Sequence, residues 1–355
     1  MMPRGDAARP SVTDVARAAG VSVGTVSNVV NRPGKVSRAT RERVQAAIDR
    51  LQFVPNGAAR GLRTGTLAAI GLVVLDIRNP FFTEIARGVE DAAGDRGLSL
   101  MLASSDQDPT RERRILSLFA AHAVAGVVAV PASDDVFQLV ELAGRGTPVV
   151  LLDHPSPVEQ LPSVAVDNVA GGQLAVRHLL GGGAEQVVML NGSHRLSQCR
   201  DRWEGARRAV RAAGLTPDSA LTEVRVGSID AAGGAAAIEE WLAFHDGCPP
   251  EALFCVNDLV AIGAAGALRN AGLDPADTPM VGYDNLELAA ELAVPLTSVA
   301  QPTYEMGRSA AELLRQQAGA DAAAPAGHLV FQPELVVRAS SRPSRRLVPV
   351  GPPRL

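Results

Sequence analysis

The sequence predicts a small all-α head followed by an α/β body of two doubly wound, parallel-sheet lobes. Glycines and helix-capping residues divide the first fifty positions into three short helical patterns, and from Leu67 onward β-type apolar runs alternate with helical ones. Charge divides the chain in the same place. Residues 1–65 hold eleven Arg and Lys against four Asp and Glu, a net of +7, while the whole chain stands at −4, so the remainder carries −11. A basic head on an acidic body fits a polyanion-binding module joined to a body that does not bind polyanions.

In the head, Thr13 is expected to cap a helix over residues 14–19, with Asp14 at the positive end of its dipole and Gly20 ending it. Ser22 caps a second helix of about residues 23–30, which turns Val26 and Val30 to one face. The run Asn31-Arg32-Pro33-Gly34 breaks the chain. Ser37 caps a third helix to about Leu51, on which Val44, Ile48 and Leu51 recur at i, i+4 and i+7. Helix, tight turn, helix and supporting helix is the sequence form of a helix-turn-helix, whose second helix lies in the major groove of DNA. Its outward residues Val23, Gly24 and Asn28 are the base-reading candidates. Asn28 offers a donor and an acceptor together, the bidentate match for adenine; Val23 can pack on a thymine methyl, and Gly24 leaves space. Thr25, Ser27 and Asn31 suit phosphates, which position the protein without specifying sequence.

In the body, strands are expected at "AIGLVVLD", "LSLMLASS", "GVVAVPA", "PVVLLD", "QVVML", "VRVG", "ALFCVND" and "PMVGYD". Their continuous apolar character suits parallel strands covered on both faces. Helices are expected over residues 82–96, 110–121, 135–143, 169–180, 200–213, 231–244 and 259–271. Ligands of such sheets bind beyond the carboxyl ends of the strands, so two lobes place the site in the cleft between them. Phe81 and Phe82 follow the first strand and offer aromatic faces. Asp153, Asn257, Asp258 and Asp284 end other strands and can exchange hydrogen bonds with hydroxyls, although Asp258 could equally serve as the cap of the helix after it.

Composition narrows the function classes. A chain of 355 residues with 46% hydrophobic content buries at least one full core. Its apolar runs are far shorter than a membrane span, and the absence of a signal-peptide pattern leads to the expectation of a cytoplasmic, nucleoid-associated protein with no membrane partner. Cys199, Cys248 and Cys255 form no C-x-x-C pair, so neither a disulfide framework nor a metal site is expected. An α/β enzyme joined to a DNA-binding head is the distant alternative, thinly supported, and no cofactor is expected. "GGGAE" at 181–185 is not G-x-G-x-x-G and precedes a strand, no P-loop or G-x-S-x-G occurs, and His154, His194 and His245 have no evident nucleophile or metal partner. A secreted sugar-binding receptor is disfavoured by the basic head.

From Val12 to Gly65 the sequence "TDVARAAGVSVGTVSNVVNRPGKVSRATRERVQAAIDRLQFVPNGAARGLRTG" resembles, without a gap, the DNA-binding head of the lactose-repressor/galactose-repressor family. The body resembles the same family through "NPFFTEIARGVEDAA", "VNDLVAIGAAGALRNAGL", "MVGYDN" and "PLTSVAQP". The resemblance implies two lobes similar to periplasmic sugar-binding proteins, linked by three chain crossings expected near Val166, Pro295 and Gly327. It implies an effector in the cleft and makes Arg202 in "CRDRWEG" the effector-binding arginine, with Arg200 a neighbour that could face solvent instead. It further implies a hinge at residues 55–66 that folds on the operator, where Leu62, beside Ala59, wedges into the minor groove. Gly57 and Gly61 each cost such a helix on the order of 1 kcal/mol relative to alanine, so the hinge alone is expected to be disordered. The sequence departs from relatives at Gly61, and at Ile229, where several carry an aromatic stacking residue.

The expected organisation is therefore a head at 1–54, a hinge at 55–66, a two-lobed body at 67–340 and a disordered tail at 341–355. The expected activity is that of a transcriptional regulator, a repressor, binding a palindromic operator as a homodimer under control of a carbohydrate effector. A corepressor-dependent regulator with a nucleoside or small-acid effector is the alternative.

Overall fold

A computed structural model describes residues 10–31, 33–53, 67–317 and 327–342. The chain divides into two compact units, Met1–Leu67 and Ala68–Leu355. The expected hinge, with Ala59 and Leu62, and residues 343–355 of the expected tail lie outside the described residues.

The first unit contains α1 (Val12–Ala19), α2 (Val23–Asn31), a 3-10 turn (Pro33–Lys35) and α3 (Arg38–Leu51). Ser11, not Thr13, caps α1. Its hydroxyl accepts from the Asp14 amide while the Asp14 carboxylate accepts from the Ser11 amide, a reciprocal box that satisfies two otherwise orphaned donors. Gly20 ends the helix at φ 62°, a left-handed conformation that favours glycine. Ser37 caps α3. Val15, Ala16, Ala19, Val26, Val29, Val44 and Ala47 form the core between the three helices. On α2 Val29 is buried where Val30 was expected, because a 3.6-residue period places i+3 on the same face as well as i+4.

The second unit is built on two six-stranded sheets. The first contains β1 (Leu67–Val74), β2 (Ser99–Ser104), β3 (Val124–Ala129), β4 (Val149–Leu152), β5 (Ser163–Val166) and β11 (His328–Phe331), in the order β11-β5-β4-β3-β1-β2. The second contains β6 (Val187–Asn191), β7 (Leu221–Arg225), β8 (Leu253–Cys255), β9 (Met280–Asp284), β10 (Thr297–Ala300) and β12 (Glu334–Val336), in the order β12-β10-β9-β8-β6-β7. Neighbours pair in parallel, as in β1 with β2 and β6 with β8, but β12 runs antiparallel to β10. Each order reverses direction once, between β1 and β3 and between β6 and β8, the crevice where open α/β sheets bind ligands.

The helices between strands are α4 (Pro80–Gly94), α5 (Pro109–Ala121), α6 (Phe137–Gly144), α7 (Asn168–Gly181), α8 (Ser197–Ala212), α9 (Pro217–Ala220), α10 (Ala231–Phe244), α11 (Asp258–Asn270), α12 (Glu287–Ala290) and α13 (Thr303–Gln317). Strands β5, β10, β11 and β12 and helices α9, α12 and α13 go beyond the elements read from the sequence. The four strands are three or four residues long and, unlike the equally short β4 and β8, each includes a polar residue, so no continuous apolar run marks them, whereas α13 buries Met306, Ala310, Leu313 and Leu314 along one helical stripe. The chain leaves the first sheet after Val166. It returns between Ala300 and Thr303, a few residues beyond Pro295, because β10 still pairs with β9 in the second sheet. It crosses again between Phe331 and Glu334, beyond Gly327, because β11 first pairs with β5. The tail was expected from residue 341, yet Ser341 is buried and its hydroxyl bonds the His178 ring at 2.8 Å.

Candidate functional site

In the head, the core fixes which face of α2 points outward. Val26 and Val29 are buried, which leaves Val23 43% exposed and Gly24 and Asn28 exposed beside it. A side chain at Gly24 would meet only the Ser22 hydroxyl, at 3.7 Å, so packing does not demand glycine there. The Ser22 hydroxyl accepts from the Thr25 amide at 3.1 Å and bonds the Thr25 hydroxyl at 2.9 Å, which ties Thr25 into the cap of α2. Ser27 is half-buried one turn above Val23, and Asn31 is the last residue of the helix.

In the body, the two sheets bring six of the seven expected cleft residues, all but Asp258, into one cavity. It is lined by Asp76, Asn79, Phe81, Phe82 and Asp153 from the first lobe and by Gln198, Arg202, Ile229, Asn257 and Asp284 from the second, among others. Its volume is about 60 Å³. That is room for about two waters and well below the roughly 300–1,000 Å³ of ordinary ligand pockets, so a small organic ligand enters only if the lobes part.

The backbone aims these residues in uncommon ways. Asp153, just past β4, has φ 52°, and Asp284 and Asn285, at the end of β9, have φ 99° and 54°. Non-glycine residues held there cost on the order of 1–3 kcal/mol each and persist where the surroundings over-determine them. Phe81 and Phe82 open α4, which Asn79 caps by accepting from the Phe81 amide at 3.0 Å. Their rings pack edge to face at 4.9 Å and both are buried.

Arg202 stands at the centre, 5% exposed. Its guanidinium lies 3.5 Å from the centre of the Tyr283 ring, Nε donates to Asn168 Oδ1 at 2.9 Å, and Nη1 donates to the Val256 carbonyl at 2.6 Å. Nη2 is 4.0 Å from Asp284 Oδ1. Side chains at Gly171 or Gly172 on α7 would collide with the Tyr283 hydroxyl or the Arg202 carbonyl, so α7 is cut away where α8 and β9 deliver this pair. Most of the guanidinium is thus held by the protein itself. What Arg202 can offer an effector therefore narrows to Nη2.

Burial dominates the carboxylates. Desolvation pushes Asp153 up to about 6 and Asp284 up to about 7, against the opposing attraction of Arg202. Gln198, which the sequence reading did not single out, donates from Nε2 across the cleft to the Asp153 carbonyl at 2.6 Å and to its Oδ2 at 2.8 Å. Its position four residues before Arg202 on the same helix put it on the cleft face, and that spacing was the signal available. Two buried acceptors there, Asp153 Oδ1 and Gln198 Oε1, have no hydrogen-bond partner among the described residues.

Asn257 lines the cavity and also caps α11, accepting from the Val260 amide at 2.9 Å. Asp258 does neither of the things expected of it. Fully buried behind the cavity, it accepts from the Leu286 amide at 2.8 Å and the Ser298 hydroxyl at 2.7 Å, and pins β10 and the loop after β9 to α11. Desolvation pushes it up to about 8. Ile229 contributes an aliphatic wall. Among the described residues, no cluster of histidine, cysteine and carboxylates is arranged to hold a metal, and no helix is long and apolar enough to cross a membrane.

Comparison with known proteins agrees with this architecture in both units. Residues 11–56 match the model of bacterial regulatory proteins of the lacI family, and residues 67–330 match that of periplasmic binding proteins and the sugar binding domain of the LacI family. The chain is 34% identical over 334 residues to the HTH-type transcriptional repressor PurR of Photobacterium profundum, covering 93% of this chain and 98% of that one. Among solved structures, the transcriptional regulator CelR–cellobiose complex is 32% identical with a TM-score of 0.68, over 94% of this chain and 100% of that one. The lac repressor dimer bound to operator and the anti-inducer ONPF is 27% identical with a TM-score of 0.79, over 95% of this chain and 100% of that one. An exposed recognition helix, a two-lobed body with a polar cleft, and matches along both units lead to one conclusion: this chain belongs to the LacI family and is a DNA-binding transcriptional regulator with a ligand-binding domain.

Proposed function

We propose that the chain is a repressor that binds a palindromic operator as a homodimer and is controlled by a neutral, hydroxyl-rich effector, a sugar or sugar derivative, held between the lobes. The observation that carries the effector class is the pair of buried, unpartnered acceptors Asp153 Oδ1 and Gln198 Oε1. Buried polar atoms are normally satisfied, and these two accept only, so the group that completes them must donate, as hydroxyls do. Asp76, Asp153 and Asp284 outnumber Arg202 on the wall, and Arg202 has committed Nε and Nη1 elsewhere, which disfavours an anion. Phe81 and Phe82 supply an apolar face for the ring carbons of a sugar, and Asn257 supplies a further polar group. The cellobiose complex of the structural neighbour supports the same class.

On the DNA side, Asn28, with Val23 and Gly24, reads base edges, Thr25, Ser27 and Asn31 meet phosphates, and Ala59 and Leu62 act at the minor groove. Lobe closure around the effector changes the spacing of the paired hinges and so operator affinity. The regulator works in the cytoplasm on the nucleoid, and no catalytic role is assigned to any residue.

Two measurements test this reading. Selection of binding sites from random duplexes should return a palindrome, bound with steep salt dependence. Thermal shift over monosaccharides, disaccharides, nucleosides and small carboxylic acids should respond to a sugar, since a ligand at 100 times its Kd stabilises by about 2.7 kcal/mol. A shift with nucleosides or acids and none with sugars would overturn the effector class.

A further inference from the structure

Outside the cavity lining, the lobes are joined by a charged cluster. Asp134, on the loop after β3 in the first lobe, accepts from Arg200 Nη1 of α8, in the second lobe, at 2.6 Å. The other carboxylate oxygen of Asp134 faces His154 Nε2 at 3.1 Å. His154 is itself buried and held by the Pro155 carbonyl, 2.7 Å from Nδ1. Burial alone would raise the Asp134 carboxyl, but the hydrogen bonds from Arg200 and His154 outweigh it and hold it below its ordinary value. Arg200 is placed in turn by Asp201 Oδ1, 3.6 Å from Nε, and by the His194 carbonyl, 3.5 Å from Nη1. The pair therefore has a fixed anchor on each side of the cleft. It ties the lobes directly at a place that a ligand need not touch.

We propose that Asp134 and Arg200 are positioning residues that clasp the two lobes, setting how often the cleft opens and how long an effector stays, without choosing which effector binds. This rests on the reading of the cleft as the effector site. A cavity of about 60 Å³ admits no sugar unless the lobes part, so entry breaks the clasp and closure over the ligand remakes it. A half-exposed ion pair contributes modestly, which suits a contact that must open repeatedly.

The test measures closure in the full, ligand-free chain by the distance between spin labels at Glu84→Cys in the first lobe and Glu240→Cys in the second, with exposed Cys248 replaced by Ser. Asp134→Ala or Arg200→Ala should raise the open population roughly two- to five-fold, with the double variant no more open than either single. The charge-keeping variant Arg200→Lys, which preserves the anchors on both sides, should stay near the wild-type distribution, a split from Arg200→Ala that a loss of folding would not produce. Sugar dissociation should quicken by a similar factor with the order of sugar preference kept. A distance distribution indifferent to Asp134 and Arg200 overturns the clasp even if sugars bind. Sugars that bind no variant while the distribution shifts as expected leave the clasp standing and remove the effector reading.

Discussion

In the head, the side chains proposed to meet DNA stand in the open on α2, with a small core of mostly valine and alanine beneath them. In the body, the side chains proposed to meet the effector are almost wholly buried, Arg202 at 5%, Asp153 at 3% and Asp284 at 7% exposed. The difference follows from the partners. A duplex carries its own field and grooves, so residues that read it need only be displayed in register on a rigid face. A small ligand is recognised by polar groups withdrawn from water, and each withdrawn charge must find a partner within the protein. The head can therefore lose a recognition residue at little cost to its fold, while the body cannot.

The largest effect expected from that contrast is at Arg202. Arg202→Ala leaves Asp284 and Asp153 buried beside no cation, and breaking such an arrangement typically costs about 3–5 kcal/mol. Urea denaturation should show this together with loss of any ligand-induced thermal shift; a variant of unchanged stability would mean the carboxylates are not compensated by Arg202. Next comes the pH dependence of the body. Below pH 3.8 folded and unfolded chains alike hold the protons of Asp153, Asp284 and Asp258, but above it the unfolded chain releases them while the folded chain keeps them until about 6, 7 and 8. Unfolding then releases protons, so these groups lower stability as pH rises from about 4 to 8, each by up to about 1.4 kcal/mol per pH unit. Asp258→Asn should flatten the upper end of that slope in denaturation midpoints taken at several pH values. An unaltered slope would show that Asp258 titrates normally.

In the head the expected effects are smaller on folding and fall on recognition instead. Asn28→Ala should cost about 1–3 kcal/mol at one operator position, read by competition between single-base operator variants, with no change in melting temperature. Uniform weakening across all sequences would reassign Asn28 to the phosphate backbone. Ser11→Ala removes the capping box of α1 and should destabilise the head by about 1 kcal/mol in thermal unfolding. A value near zero would show that the Asp14 carboxylate alone satisfies that helix end.

The legibility of the two regions differs for the same reason. Head helices are set by local chemistry, and Gly20, Ser22 and Ser37 act where their neighbours in sequence place them. The cap of α1 was missed by two residues because Ser11 and Thr13 both suit an N-cap, and only the return bond from Asp14 separates them. The long apolar strands could be read from their runs. Strands β5, β10, β11 and β12 could not, since, unlike the equally short β4 and β8, each contains a polar residue that interrupts the apolar run, and such a segment becomes a strand only when a neighbouring strand is present. Asp258 was misread for a similar reason: a strand-end carboxylate looks the same in sequence whether it faces a cleft or pins Leu286 and Ser298 behind it.

Local patterns along the chain suffice for the basic head and acidic body, the three capped helices and their outward residues, and the alternation that places ligand chemistry at strand ends. Each of these depends on residues close together in the chain. It took the closed fold to show that Arg202 is occupied by Asn168, Val256 and Tyr283, that Gln198 reaches Asp153 across the cleft, and that Asp134 meets Arg200 between the lobes. Those are contacts between residues tens of positions apart, and their geometry exists only once two sheets have closed on each other.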